Sequence, residues 1–135
     1  MYSVVHADSA RGLFCPEKYS IELAELLGII TGDGYIGRYG TTYIVEITED
    51  AVLDKDFLTS YVSPLIKQLF GVKPTCIFRK GQQTMVLRLL SKTAISFFHA
   101  NGIPFGKKSC IAIIPWVKPN STYARAFVRG FFDTD

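Results

Sequence analysis

Leu26-Leu27-Gly28-Ile29-Ile30-Thr31-Gly32-Asp33-Gly34 is spelled a second time, in altered form, by Val128-Arg129-Gly130-Phe131-Phe132-Asp133-Thr134-Asp135. Each stretch is an apolar run in which a glycine stands five residues before an aspartate. On a helix, that glycine allows close packing against a second copy, and the aspartate falls at the C-terminal end. An acid in that position opposes the helix dipole, so Asp33 reads as a residue with a task beyond ending a helix.

Outward from the first copy, Ser20 is placed to cap a helix on which Leu23, Leu26, Leu27 and Ile30 recur at helical spacing, closed by Gly32 and Gly34. Tyr35 to Tyr39 and Tyr43 to Thr48, joined by Gly40-Thr41-Thr42, read as a β-hairpin. Asp54 to Phe70 predicts an amphipathic helix with Phe57, Leu58, Tyr61, Leu65, Ile66 and Leu69 on one side and Gly71 as its stop. A second hairpin, Thr75 to Arg79 and Thr84 to Leu89, turns at Lys80-Gly81-Gln82-Gln83, and a helix from Ser91 to Ala100 follows.

Ile103 to Pro119 is punctuated by Pro104, Gly106, Pro115 and Pro119 and reads as a connection packed by Ile111, Ile113, Ile114 and Trp116. Asn120 or Ser121 then caps a helix carrying Ala124, Phe127, Val128 and Phe131. The order is α-β-β-α-β-β-α, an α+β class with an antiparallel sheet, ending on the opening helix of a second such unit. The expected organisation is an arm over 1–17, one repeat with its linker over 18–119, and the second motif helix over 120–135. A repeat that begins again predicts half of a two-repeat protein, because repeated units bury surface against each other.

The 135 residues suit one domain, and an apolar share of 48% is enough for a core. No apolar run spans a bilayer, and Met1 to Ala10 lacks the basic-then-apolar order of a secretory signal, which predicts an intracellular (cytoplasmic) protein without membrane contact. Cys15, Cys76 and Cys110 are far apart and form no C-x-x-C pair, so reduced, mostly packed thiols are expected. His6 and His99 stand alone, against a histidine-ligated metal site. The net charge of +3 permits a polyanionic partner without requiring one.

The motif pair and the element order resemble the LAGLIDADG homing endonucleases of the dodecapeptide type. Leu26 to Gly34 covers the nonapeptide, with Thr31 and Gly32 in place of the consensus Asp and Ala, and Val128 to Asp135 covers all but its closing glycine. The longer phrases Ala24 to Ile36 and Ala126 to Asp135 carry the likeness further, and it spans residues 18 to 135. The resemblance implies a site-specific double-stranded DNA endonuclease. Its two motif helices pack between similar halves, and Asp33 and Asp135 hold Mg²⁺ or Mn²⁺ over the cleavage site. Mg²⁺ takes oxygen ligands and is commonly held by one or two carboxylates with phosphate oxygens, in accord with that assignment.

Further site residues follow from the same resemblance. Lys108, or failing that Lys107, supplies a basic group at the scissile phosphate. Glu49, with Glu46 as second candidate, positions the attacking water. The hairpins read DNA, since a two-stranded ribbon fits the major groove. Arg38, Tyr43, Glu46, Thr75, Arg79, Lys80, Gln82, Gln83 and Arg88 are the candidates there, with Lys73 or Lys80 meeting phosphate.

Ordinary explanations stand beside these. Gly28 and Gly130 are close-packing positions whether or not the protein cuts DNA, the hairpin charges also suit a solvated sheet face, and Thr31 and Asp133 suit packing or capping. Nothing in the sequence supplies a second set of hairpins. The chain therefore reads either as a monomer built on an intramolecular helix pair with an incomplete site, or as one awaiting a second repeat or a homodimer partner. A catalytically silent DNA- or RNA-binding module, maturase-like or regulator-like, is the alternative function. An intein role lacks the nucleophile start and terminal His-Asn of splicing.

Overall fold

The computed structural model describes residues 6–79, 81–106 and 114–133. Ser20 is extended, and its hydroxyl accepts the Leu23 N–H, which starts a helix over Ile21–Asp33. From Leu23 to Thr31 every residue of that helix is buried. Numbered in chain order, the elements are α1 (His6–Ala10), α2 (Ile21–Asp33), β1 (Gly34–Tyr39), β2 (Thr42–Asp50), α3 (Ser63–Phe70), β3 (Thr75–Arg79), β4 (Thr84–Leu90), α4 (Lys92–Ala100) and α5 (Ser121–Asp133). The strands form one antiparallel sheet in the order β1-β2-β4-β3.

Alternation along the strands gives the sheet two faces. Val45, Ile47, Leu87 and Leu89 meet Ile30 of α2, Ile66 of α3 and Phe98 of α4 around one small apolar cavity, so this is the helix-covered face. Ile44, Glu46 and Thr48 of β2, with Val86 and Arg88 of β4, fall on the other face. Among the described residues no helix of the core covers that face, the open side of the sheet, although Ile44, Glu46 and Val86 on it are themselves buried.

Both hairpins form as the turn residues predict. The first turns at Gly40, with φ of 63°, and Thr41, so β2 runs from Thr42 to Asp50, longer than the Tyr43 to Thr48 expected. The second uses Gly81 and Gln83, both in the left-handed region, with φ of 78° and 49°. Asn120, not Ser121, caps α5: its side-chain oxygen accepts the N–H groups of Thr122 and Tyr123. The described end of the connection, from residue 114 on, is held by Trp116, whose indole N–H donates to Asn101 at 2.7 Å and whose ring stacks on Tyr19. Ile111 and Ile113 lie outside the described residues.

Within the N-terminal segment, α1 places Asp8 in the interior, where it accepts from the Ser91 hydroxyl at 2.9 Å and pairs with Arg11 at 2.8 Å. Burial raises its carboxyl, but hydrogen bonds from Thr93, Arg11 and Ser91 outweigh that and hold it below the ordinary value. The helix expected over Asp54 to Phe70 is not uniform. Phe57–Val62 is a π-helical stretch, in which Ser63 N–H donates to the Leu58 carbonyl. Pro64 has no N–H, so the four-residue ladder cannot continue through it, and a wider turn takes up the mismatch. Finally, Cys76 is exposed because β3 is an outer strand beyond the helices, while Cys15 is half-buried and burial pushes its thiol up to about 11.

Candidate nucleic-acid interface

α2 and α5 cross at their glycines. A Cβ on Gly28 would lie 2.0 Å from the Phe127 carbonyl oxygen, and one on Gly130 would lie 2.2 Å from that of Glu25. Any side chain at either position would force the helices apart, which explains the glycines without appeal to function. The interval from Gly28 to Gly130 equals that from Glu25 to Phe127, so the two contacts are copies of each other and the crossing has local two-fold character. The same interval separates Asp33 from Asp135 in the sequence, and Asp135 lies outside the described residues.

One pair breaks this symmetry. Glu25 is buried, accepts the Arg129 Nε–H at 2.9 Å, and accepts a short hydrogen bond from the Tyr61 hydroxyl. At the equivalent place across the pseudo-axis stand Phe127 and Leu27, both apolar. The Glu25 hydrogen bond and burial push the Tyr61 phenol up to about 12. Sequence reading missed this network, because Arg129 and Tyr61 are distant in the chain; Glu25 as the one charged residue in the run Leu23 to Ile30 was the available signal.

Asp33 ends α2, half-buried, and among the described residues no hydrogen bond or ion pair engages its carboxylate. Gly34, the next residue, pairs with Ile47, so Thr48, Glu49 and Asp50 run on past the end of α2. Glu49 is buried on the helix-covered face, whereas Glu46 lies on the open face. The two glutamates therefore do not share a site. Among the described residues no three His, Cys, Asp or Glu side chains are gathered as a metal cluster. Lys107, Lys108 and Lys80 lie outside the described residues.

The open face gathers Glu46, Thr75, Arg79 and Arg88 from the sequence candidates. Glu46 and Arg88 stand directly opposite in register and form an ion pair, and Thr75 stands opposite Arg88 on its other side. Arg38 and Tyr43 are also opposite each other, but on the helix-covered side, where Arg38 and Lys92 both lie over the Tyr43 ring. Lys73 is exposed just before β3. Gln82 is exposed at the turn, and Gln83 reaches the Asp50 carboxylate at 3.4 Å, tying the second turn to the end of β2.

Two open-face residues were not foreseen. Tyr35 lies over the bare backbone of Gly37, where a Cβ would be 2.3 Å from its hydroxyl oxygen, and stacks with Tyr39 at 6.1 Å between centroids. The alternation Tyr35-Gly37-Tyr39 was a legible signal, since residues two apart in a strand share a face.

No protein-family model matches the chain, and no curated protein matches it either. Solved structures do. The crystal structure of I-DmoI in complex with DNA and Mn matches at 23% identity and a TM-score of 0.55, over 85% of this chain and 62% of that one. Mesophilic variants from the homing endonuclease I-DmoI match at 24% identity and a TM-score of 0.56, over 85% and 61%. I-DmoI in complex with DNA and Ca matches at 24% identity and 0.55, over 84% and 56%. This chain thus spans less than two thirds of the length of those it matches. No helix among the described residues is long and apolar enough to cross a membrane. The chain has the fold of the LAGLIDADG homing endonucleases.

Proposed function

We propose that the chain is the DNA-recognising part of a site-specific double-strand endonuclease that hydrolyses phosphodiesters with a divalent metal. One observation carries the reading: α2, held at the glycine crossing with α5, ends on Asp33, which has no protein partner among the described residues, and the sheet that follows presents Arg79 and Arg88 on the face away from the helices. A free carboxylate at that point has the oxygen-donor chemistry that Mg²⁺ or Mn²⁺ needs, so the residues fit such an ion. Asp33 and its counterpart Asp135 would hold it. When bound, it supplies Lewis-acid stabilisation of charge on the scissile phosphate. Neighbouring structures of I-DmoI carry DNA with Mn or Ca, or target DNA in the presence of Mg, which supports the choice of ion.

Lys108, or Lys107, adds positive charge at the phosphate, and Glu49 orients the attacking water from the stretch of β2 beyond the end of α2. Of the readout residues, Thr75, Arg79 and Arg88 face the duplex, while Lys73 and Lys80 meet phosphate. A second αββαββα unit, or a second copy of this chain, completes the surface. Val128 and Phe132 of α5, 49% and 62% exposed, occupy the places that Leu26 and Ile30 hold in α2, both fully buried.

The test is a plasmid library with a randomised insert, incubated with the chain in Mg²⁺ or Mn²⁺ and sequenced at any new ends. The expected result is cutting or nicking at a shared sequence, abolished by Asp33→Asn while duplex binding remains. Cutting that Asp33→Asn leaves unchanged would overturn the assignment of the site. Sequence-selective binding without cutting in either metal would favour the catalytically silent module instead.

A further inference from the structure

The geometry points to Arg88 as a guanine-reading side chain and to Glu46 as the residue that positions it. This deepens the duplex reading of the open face and rests on it. Arg88 lies on β4, a central strand, with a third of its side chain exposed and Glu46 almost wholly covered, at 33% and 6%. Its Nε and Nη2 both reach one oxygen of Glu46, Oε2, at 2.8 and 2.7 Å. Each terminal nitrogen carries two hydrogens, so the end-on fork, made of Nη1–H and the second N–H of Nη2, is left uncommitted to Glu46. The fork is the edge that pairs in bidentate fashion with guanine O6 and N7.

Two physical consequences separate this arginine from Arg79 and Lys73, for which no ion pair is found among the described residues. First, a free arginine loses side-chain entropy when it docks on a base, whereas Glu46 has already fixed the Arg88 stem and plane. Second, Glu46 cancels most of its charge, so Arg88 adds little to sequence-independent attraction for phosphate. Held geometry with muted charge suits base readout and not backbone anchoring. A carboxylate on a DNA-facing surface is otherwise repulsive, and pairing removes that objection.

A purely structural cross-strand ion pair would stabilise the sheet and leave base preference untouched, so base preference is the quantity to measure. Duplexes with a randomised core are selected on the parent chain, Arg88→Ala, Arg88→Lys and Glu46→Gln, each first checked for folding by circular dichroism, and the enriched pools are sequenced. The parent is expected to enrich a motif containing a guanine that Arg88→Ala loses, with the other positions unchanged. Arg88→Lys, which keeps the stem and the charge but not the fork, loses the same guanine and carries the test if Arg88→Ala does not fold. Glu46→Gln weakens preference at that same base pair by about tenfold and binds unrelated duplex more tightly, with a steeper salt dependence.

An unchanged motif in folded Arg88→Ala or Arg88→Lys, or a loss spread evenly over all positions, overturns the inference. No enrichment by the parent chain overturns the duplex reading beneath it, which is a separate and recognisable failure.

Discussion

Replacing Gly28 by alanine tests the helix crossing on which the site depends. The new Cβ would lie 2.0 Å from the Phe127 carbonyl oxygen, and that oxygen belongs to backbone that cannot rotate away. A real Cβ needs at least 3.0 Å, so α2 and α5 must separate by about 1 Å. Overpacking of this kind typically costs about 1–3 kcal/mol, and contact with rigid backbone belongs at the upper end. Against it, alanine is better than glycine inside a helix by about 1 kcal/mol. The net expectation is destabilisation of about 2 kcal/mol for Gly28→Ala, and slightly less for Gly130→Ala, whose Cβ would lie 2.2 Å from the Glu25 oxygen.

Because both alanines open one crossing, the second costs little once the first is present. The double variant should fall short of the sum of the singles by about 1 kcal/mol or more. Urea unfolding followed by circular dichroism and by fluorescence of Trp116, the chain's single tryptophan, reads these values. If either single variant is more stable than the parent by about the 1 kcal/mol that an exposed helix glycine would yield, the close crossing does not exist in solution.

Three further outcomes follow from named contacts. Arg129→Met leaves Glu25 buried without its cation; since Arg129 is 53% exposed, the cost lies between the limits for surface and buried pairs, about 1–3 kcal/mol, and Glu25→Leu/Arg129→Met should recover most of it in the same unfolding assay. The Tyr61 phenol is pushed above its unfolded value of about 10 to about 12, so its contribution is complete below pH 10 and is lost as pH rises to 12. A parent chain that loses no more stability than Tyr61→Phe across that window would contradict the Glu25 hydrogen bond. The Asp8 carboxyl is held below its ordinary value, so its contribution is present above about pH 4 and lost as pH falls through the lowered pKa. Asp8→Asn should flatten that acid limb, and hydrogen exchange at the start of α4 should rise in the variant at pH 7.

The parts of the fold that were legible are those fixed by local chemistry. Ser20 and Ser91 as caps, Gly40 and Gly81 in turns, and the leucine spacing of α2 each act through neighbours in the chain, so a sequence pattern records them. What was not legible depends on partners far away. Asp8 capping α4, and Glu25 between Tyr61 and Arg129, are set by tertiary packing and leave no periodic trace. The separation of Glu46 from Glu49 was available in principle: residues an odd number apart in a regular strand lie on opposite faces, and Val45-Ile47-Glu49 is the core-facing set. Buried Ile44 on the open face, next to Val45, blurs that alternation and hides the parity.

If duplex DNA lies against the open face of the sheet, site-directed photo-crosslinking will register it there. A benzophenone side chain is placed at Thr48, exposed in the middle of that face, or at Ser96, exposed on α4 on the opposite side, and each protein is irradiated with a labelled duplex pool. A crosslink is expected from position 48, competed away by selected duplex and weakly by unrelated duplex, with none from position 96. A crosslink from position 96 alone, or from neither position, would contradict that placement of the duplex.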